Sequence, residues 1–301
     1  MEMVPLLGGS LDNFVPTVWS ARILLALQKA LVFGQPNVVN RDYEGDIRDV
    51  GNTVKINSIG DPTIFDYVKN SDMPSPETLT STQRTLTIDA AKGFNFEVDD
   101  IDKVQQQPKV MDAALGRAAY TLADVADQYL AGKMVAGATV NSIGSVDAPI
   151  VAPTPTQGND GAYEQLVDLG TLLDEQNVPT EGRWVVVPPW FHGTLTKDQR
   201  FVSYAAIDVL YNRQVGEAAG FAVLVSNNTP TVAANVGNAN QQTRSLILAG
   251  HPMATTFAEQ LSQIEAYRPQ SRFADAVKGL HLYGGTVNRP EAIAILFATR
   301  S

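Results

Sequence analysis

Three features of this chain predict an α+β fold. Apolar and polar residues alternate with a period of two in segments between Thr53 and Val98. A single apolar stripe of helical spacing runs from Pro108 to about Val135. Short apolar segments of strand character, interrupted by Pro, Gly and Asn, fill much of the stretch from Trp184 to Ala298. Strands and helices that occupy separate stretches, instead of alternating regularly, mark this class. With 301 residues, 44 % of them hydrophobic, the chain is long enough for one large domain or two modest ones around a real core.

Taken in order, residues 1–15 are mixed in character and broken by Gly8-Gly9-Ser10, which reads as an extended arm. Pro16 suits a first helical turn, and Val18, Trp19, Ile23, Leu24, Leu27 and Leu31 follow helical spacing until Gly34 and Pro36 end it. From Thr53 the period changes to two: Val54 and Ile56, then Leu86 and Ile88, then Phe94, Phe96 and Val98. Between them lies Ser71–Gln83, rich in Ser, Thr and Pro. The pattern predicts a two-stranded excursion over about residues 50–98, with its tip near Pro74 and Pro76. An isolated hairpin is marginal in water, so its apolar face needs cover, and a second copy of the chain is the simplest cover. Val54, Ile56, Phe65, Tyr67, Leu86, Ile88 and Trp19 are the residues expected to contact such a neighbour.

Pro108 opens the long helix, with Val110, Met111, Ala114, Leu115, Ala118, Leu122, Val125, Ala126, Tyr129, Leu130 and Met134 at i, i+3, i+4 spacing and Gly137 as its stop. At 1.5 Å per residue it would span roughly 40 Å, the length of a spine. Residues 137–160 read as an irregular linker. A second helix carries Tyr163, Leu166, Val167, Leu169, Leu172 and Leu173. Trp184–Val187 is a buried-type strand stopped by Pro188-Pro189. Short helices are predicted over Phe191–Lys197 and Tyr204–Leu210, and strands over Phe221–Val225, Ser245–Ala249, Leu280–Val287 and Ala292–Ala298. Residues 226–243 read as an exposed loop, and Thr256–Tyr267 mixes helix and strand signals.

Composition narrows the function. The net charge of −10 argues against a dedicated nucleic-acid binder, which needs a basic excess to neutralise phosphates. The absence of cysteine excludes disulfides, thiolate–metal sites and thiol nucleophiles. The apolar run Ile23–Leu27 is too short to span a bilayer, and neither signal peptide nor membrane anchor is read. His192, His251 and His281 form no metal-binding spacing. Asp42, Glu44 and Asp46 alternate like part of a calcium loop but lack its distal Glu, and Asp99, Asp100 and Asp102 suit capping. There is no phosphate-binding loop and no Gly-x-Ser-x-Gly elbow. Trp19, Trp184 and Trp190 read as core or interface anchors. No catalytic, cofactor or metal residues are assigned.

One ordered series carries a resemblance. Val15-Pro16-Thr17-Val18-Trp19-Ser20, Asp42-Tyr43-Glu44-Gly45-Asp46 and Val50-Gly51-Asn52-Thr53-Val54-Lys55-Ile56 are followed by Lys92-Gly93-Phe94-Asn95-Phe96-Glu97-Val98-Asp99-Asp100. Farther on come Arg183–Pro189, Gly220–Asn227, Ala249-Gly250-His251, Ala258–Arg268, Gly279–Gly284 and Val287–Pro290. In this order they resemble the major capsid (coat) protein of tailed double-stranded DNA phages. The resemblance implies an N-terminal arm and helix (1–49), an extended β-hairpin loop, the E-loop (50–98), with Lys92–Asp100 as its return strand, and a peripheral domain with the spine helix (99–159). It further implies an axial domain (160–270) and peripheral-domain return strands (271–301). It implies a structural, non-enzymatic subunit that forms pentamers and hexamers of an icosahedral shell around double-stranded DNA, located in the virion and assembled in the host bacterial cytoplasm. Partners would be a separate scaffolding protein, a portal and decoration proteins. The same fold is expected of herpesvirus capsid floors and encapsulins, so an encapsulin-type compartment is the alternative and a hydrolase the remote one. Some relatives crosslink a loop Lys to a neighbour's Asn, and Lys55, Lys69 and Lys92 are the lysines in this stretch.

Overall fold

The computed structural model describes residues 31–43, 53–59, 62–67, 69–70, 72–78, 81–99, 110–151, 161–198, 216–233, 243–271 and 273–300. The expected arm, Trp19, the helix over Tyr204–Leu210 and most of the Asp99–Asp102 cluster lie outside these residues. Among them, no helix is long and apolar enough to cross a membrane.

Strands β1 (Thr53–Ile59) and β2 (Ser81–Thr87) form an antiparallel hairpin in continuous register, from Thr53 opposite Thr87 to Ile59 opposite Ser81. Strand β3 (Ala90–Asp99) does not extend it. It pairs with β12 (Ala274–Val287), which pairs in turn with β11 (Thr255–Tyr267), in a second sheet of order β11-β12-β3. The return strand of the protruding loop is therefore Ser81–Thr87, and Lys92–Asp99 of the expected return strand belongs to the body, with Asp100 outside the described residues. The mixed signal over Thr256–Tyr267 resolves as strand, because each residue from Thr255 to Tyr267, the bulge between Leu261 and Gln263 aside, faces a partner on β12.

The spine is α1 (Val110–Gly137), 28 residues packed on β12. Leu115, Leu122, Ala126, Leu130 and Met134 from its stripe are buried, joined by Ala119, Ala123 and Ala131. The linker expected over 137–160 contains two short strands, β4 (Asn141–Ile143) and β5 (Ile150–Val151). Helix α2 (Ala162–Glu175) buries Leu166, Leu169 and Leu173. After it come β6 (Trp184–Val187), α3 (Pro189–Leu195), β7 (Glu217–Ala218), β8 (Phe221–Val225), β9 (Thr231–Val232), β10 (Arg244–Gly250) and β13 (Ile293–Thr299).

These strands form a mixed sheet of order β4-β13-β10-β6-β8-β7, with β5 on β13 and β9 on β10. The centre of the sheet is β10, antiparallel to β6 on one side and β13 on the other. Its near-continuous apolar run, like that of β6 and β13, fits strands covered on both faces. The boundary expected at 270/271 falls between β11 and β12, which are paired, and the last strand β13 joins the large sheet. Strand pairing thus assigns 255–267 and 274–287 to one sheet and 293–299 to the other. The chain passes between them through Asn288 and Arg289, whose N–H groups both donate to the Ala254 carbonyl.

Candidate assembly surface

The hairpin leaves the body from a built base. Leu86 and Ile88 are fully buried in a small cluster with Ala258 and Leu282, against which Val54 and Ile56 pack. Arg84 donates from Nη1 to the Val287 carbonyl at 2.9 Å. Asp89 accepts from the Tyr129 hydroxyl and, at 3.0 Å, from Lys133, both on α1. Burial works to raise the Asp89 carboxyl, but these two donors outweigh it and hold the group below its ordinary value. Tyr129 is pushed well up, by burial first and by Asp89 second. Leu86 and Ile88 therefore serve the chain's own core instead of facing a neighbour, because the hairpin base folds back onto β11 and β12.

The far end is different. Residues 62–67 and 72–78 form no strand and lie exposed, apart from a bond in which the Thr63 N–H donates to Glu77 Oε2 at 2.9 Å. Four large apolar side chains stand in solvent here: Ile64 at 92 % exposure, Phe65 at 47 %, Tyr67 at 70 % and Met73 at 68 %. Phe65 and Tyr67, expected to contact a neighbouring copy, are exposed, as are Ile64 and Met73. Scattered exposed apolar residues are ordinary, but four on one segment form an exposed apolar patch, a feature that interaction sites commonly have.

A second feature is a strap, residues 31–43, laid across the spine and the edge of β11. Leu31, Phe33, Val38 and Val39 are fully buried. The buried Asp127 of α1 accepts the N–H groups of Val32, Phe33 and Gly34 at 3.0, 2.9 and 3.3 Å. Burial pushes its carboxyl up to about 6, opposed by those backbone donors and by Asn228. Farther along, the Asn40 N–H donates to the Thr255 carbonyl at 2.9 Å, and the Phe257 N–H to the Asn40 carbonyl at 3.0 Å. Arg41 pairs with buried Glu259 and lies 5.6 Å over the Phe257 ring. The second Glu259 oxygen, Oε2, is 3.1 Å from His281 Nε2. These anchors were not found from sequence. Only Asp127 leaves a local trace, a carboxylate flanked by Ala123, Ala126 and Leu130 on the apolar face.

The histidines sit in separate places. His281 is wholly buried, His251 Nδ1 accepts the Met253 N–H at 3.2 Å as a turn cap, and His192 lies on α3. Burial holds His251 below the ordinary imidazole value. Among the described residues, no group of three or more His, Cys, Asp or Glu side chains could hold a metal. Lys55 and Lys92 project from exposed strand positions, and Lys69 from the loop end.

Comparison with known proteins agrees with this geometry. None of the curated proteins compared matches the chain. The fold is similar to a structure from Mycobacterium phage Che8, at TM-score 0.67 and 28 % identity over 88 % of this chain and 90 % of that one. It is also similar to the capsid structure of cyanophage P-SCSP1u, at TM-score 0.68 and 16 % identity over 99 % and 93 %. The mature capsid of bacteriophage PhiM1 follows, at TM-score 0.61 and 17 % identity over 87 % and 88 %. The family described as phage capsid protein matches residues 81–296, from the return strand of the hairpin almost to the end of β13. With well over half of its length inside that family, this chain is a phage capsid protein.

Proposed function

We propose that the chain is the repeating subunit of an icosahedral phage shell, arranged as pentamers and hexamers around double-stranded DNA. The carrying observation is the hairpin: a base locked into the chain's own core and a far end that exposes Ile64, Phe65, Tyr67 and Met73. A rigid arm with an apolar tip is suited to lie on a neighbouring copy, and closure makes many modest contacts of this kind cooperative. Family membership supports a structural role in the virion over an enzyme, and a phage shell over an encapsulin-type compartment. On this reading the acidic chain contains DNA without gripping its phosphates. Assembly in the host cytoplasm with a scaffolding protein and a portal, and decoration proteins on the finished shell, extend the same reading.

The test replaces Ile64, Phe65, Tyr67 and Met73 together with Ser. The expected product is a folded subunit with an unchanged circular dichroism spectrum that forms no shells by sedimentation and negative-stain microscopy. Shells of wild-type yield from this variant would refute the role given to the loop.

A further inference from the structure

The hairpin joins the body where two backbones come unusually close. Between β2 and β3, residues Thr87 and Ile88 pass over β12 at Gly284. A methyl group at position 284 would overlap the Thr87 carbonyl oxygen and lie 2.9 Å from Ile88 Cα and 3.0 Å from Ile88 Cδ1. The first two obstacles are backbone atoms, which cannot swing aside as a side chain can. The adjacent Gly285 faces the other way: a methyl there would meet Leu130 Cδ2 of the spine at 3.0 Å. At this point β12 is sandwiched between the hairpin connection and α1, with no Cβ on either face. Around the crossing, Leu86 and Ile88 fill the small cluster, Arg84 reaches the Val287 carbonyl and Asp89 is held by Tyr129 and Lys133.

We propose that Gly284 is the seat of the hairpin: a positioning residue whose missing side chain sets the angle at which the loop leaves the body, and so where its tip meets a neighbouring copy. The second half of this statement rests on the proposed assembly role. The reason is geometric. The anchors on Arg84, Leu86, Ile88 and Asp89 fix the hairpin in position, but the depth of the Thr87–Ile88 crossing fixes its tilt. A lever is most sensitive to a shim at its fulcrum, so a small lift there is multiplied along the strands.

The chain has no cysteine, so two introduced cysteines report alone. Lys69→Cys at the loop end and Asp168→Cys at an exposed position of α2 are spin-labelled, and the labelled chain is diluted into unlabelled chain so that only intrachain distances are read by electron–electron resonance. Gly284→Ala is expected to shift the mean distance by more than the width of the wild-type distribution, and to give shells of altered diameter or none. Gly285→Ala, on the opposite face, is expected to leave the distance unchanged. An unmoved distance in Gly284→Ala overturns the proposal, as does an equal shift in Gly285→Ala. A shifted distance with shells of wild-type diameter upholds the seat and refutes instead the assembly role of the loop. Should Gly284→Ala not fold, Ile88→Val removes one methyl from the seat without a clash. It is expected to broaden the distance distribution, and an unchanged distribution overturns the proposal.

Discussion

At the scale of single residues, the informative side chains are buried charges that hold a strap. Asp127 accepts three consecutive N–H groups, a stop for the polypeptide much like a helix cap, yet it sits in an apolar surround that disfavours its charge. Its carboxyl is raised from 3.8 to about 6, so the folded chain binds this proton more tightly than the unfolded chain does. Its contribution to stability is therefore fully present below pH 4 and is lost as pH rises through about 6, by an upper bound of about 3 kcal/mol. Asp127→Asn keeps an acceptor oxygen and removes the titration. Urea unfolding at several pH values is expected to show the wild type losing stability relative to Asp127→Asn between pH 4 and 7. Parallel curves would show that the carboxyl titrates as an ordinary surface group. Neither Asp127 nor the Arg41–Glu259–His281 cluster was assigned from sequence. The first was readable as a charge on an apolar stripe. The second was not, since Arg41 and Glu259 are 218 residues apart and a pair at that separation leaves no local pattern.

At the scale of elements, periodicity identified the long elements in the described residues, missed short strands such as β4, β5 and β9, and misplaced one boundary. Helices α1 and α2 and strands β6, β8, β10 and β13 stand where spacing put them, because each has one dominant apolar face or is buried throughout. The hairpin boundary was misread because Leu86, Ile88, Phe94, Phe96 and Val98 keep one unbroken phase across β2 and β3. Alternation reports which face is covered, not which strand does the covering, so a change of sheet between Ile88 and Ala90 is silent. Gly279 belongs to the same lesson: a methyl there would overlap the Phe94 ring, a closeness that only the paired strands reveal. The helix α1 also contains two glycines, Gly116 and Gly132, that face open space and are exposed. Glycine in a helix interior costs up to about 1 kcal/mol relative to alanine. Gly116→Ala and Gly132→Ala are each expected to raise the thermal midpoint by about 1–2 °C, on the scale of at most about 1 kcal/mol, without altering shell formation. A fall in midpoint, measured by calorimetry, would mean that these positions are packed.

For the whole molecule, the question is how acidic copies come together at all. Each chain carries a net charge of −10, so an approaching neighbour meets a repulsive field before any apolar tip can dock. On the proposed role of the loop, two terms oppose each other: apolar burial at the loop ends, which acts at contact, and like-charge repulsion, which acts over a Debye length of about 10 Å at 0.1 M salt and about 30 Å at 0.01 M. Added salt shortens the second without weakening the first, and hydrophobic contact is if anything strengthened by excluded salts. The concentration of subunit needed for shells is accordingly expected to fall severalfold as sodium chloride is raised from about 10 mM to about 200 mM, as followed by light scattering and sedimentation. The variant lacking Ile64, Phe65, Tyr67 and Met73 separates the two terms, since salt relieves its repulsion but supplies no apolar contact. Assembly that weakens with salt in the wild type would show that oppositely charged patches between copies, and not apolar tips, provide the attraction.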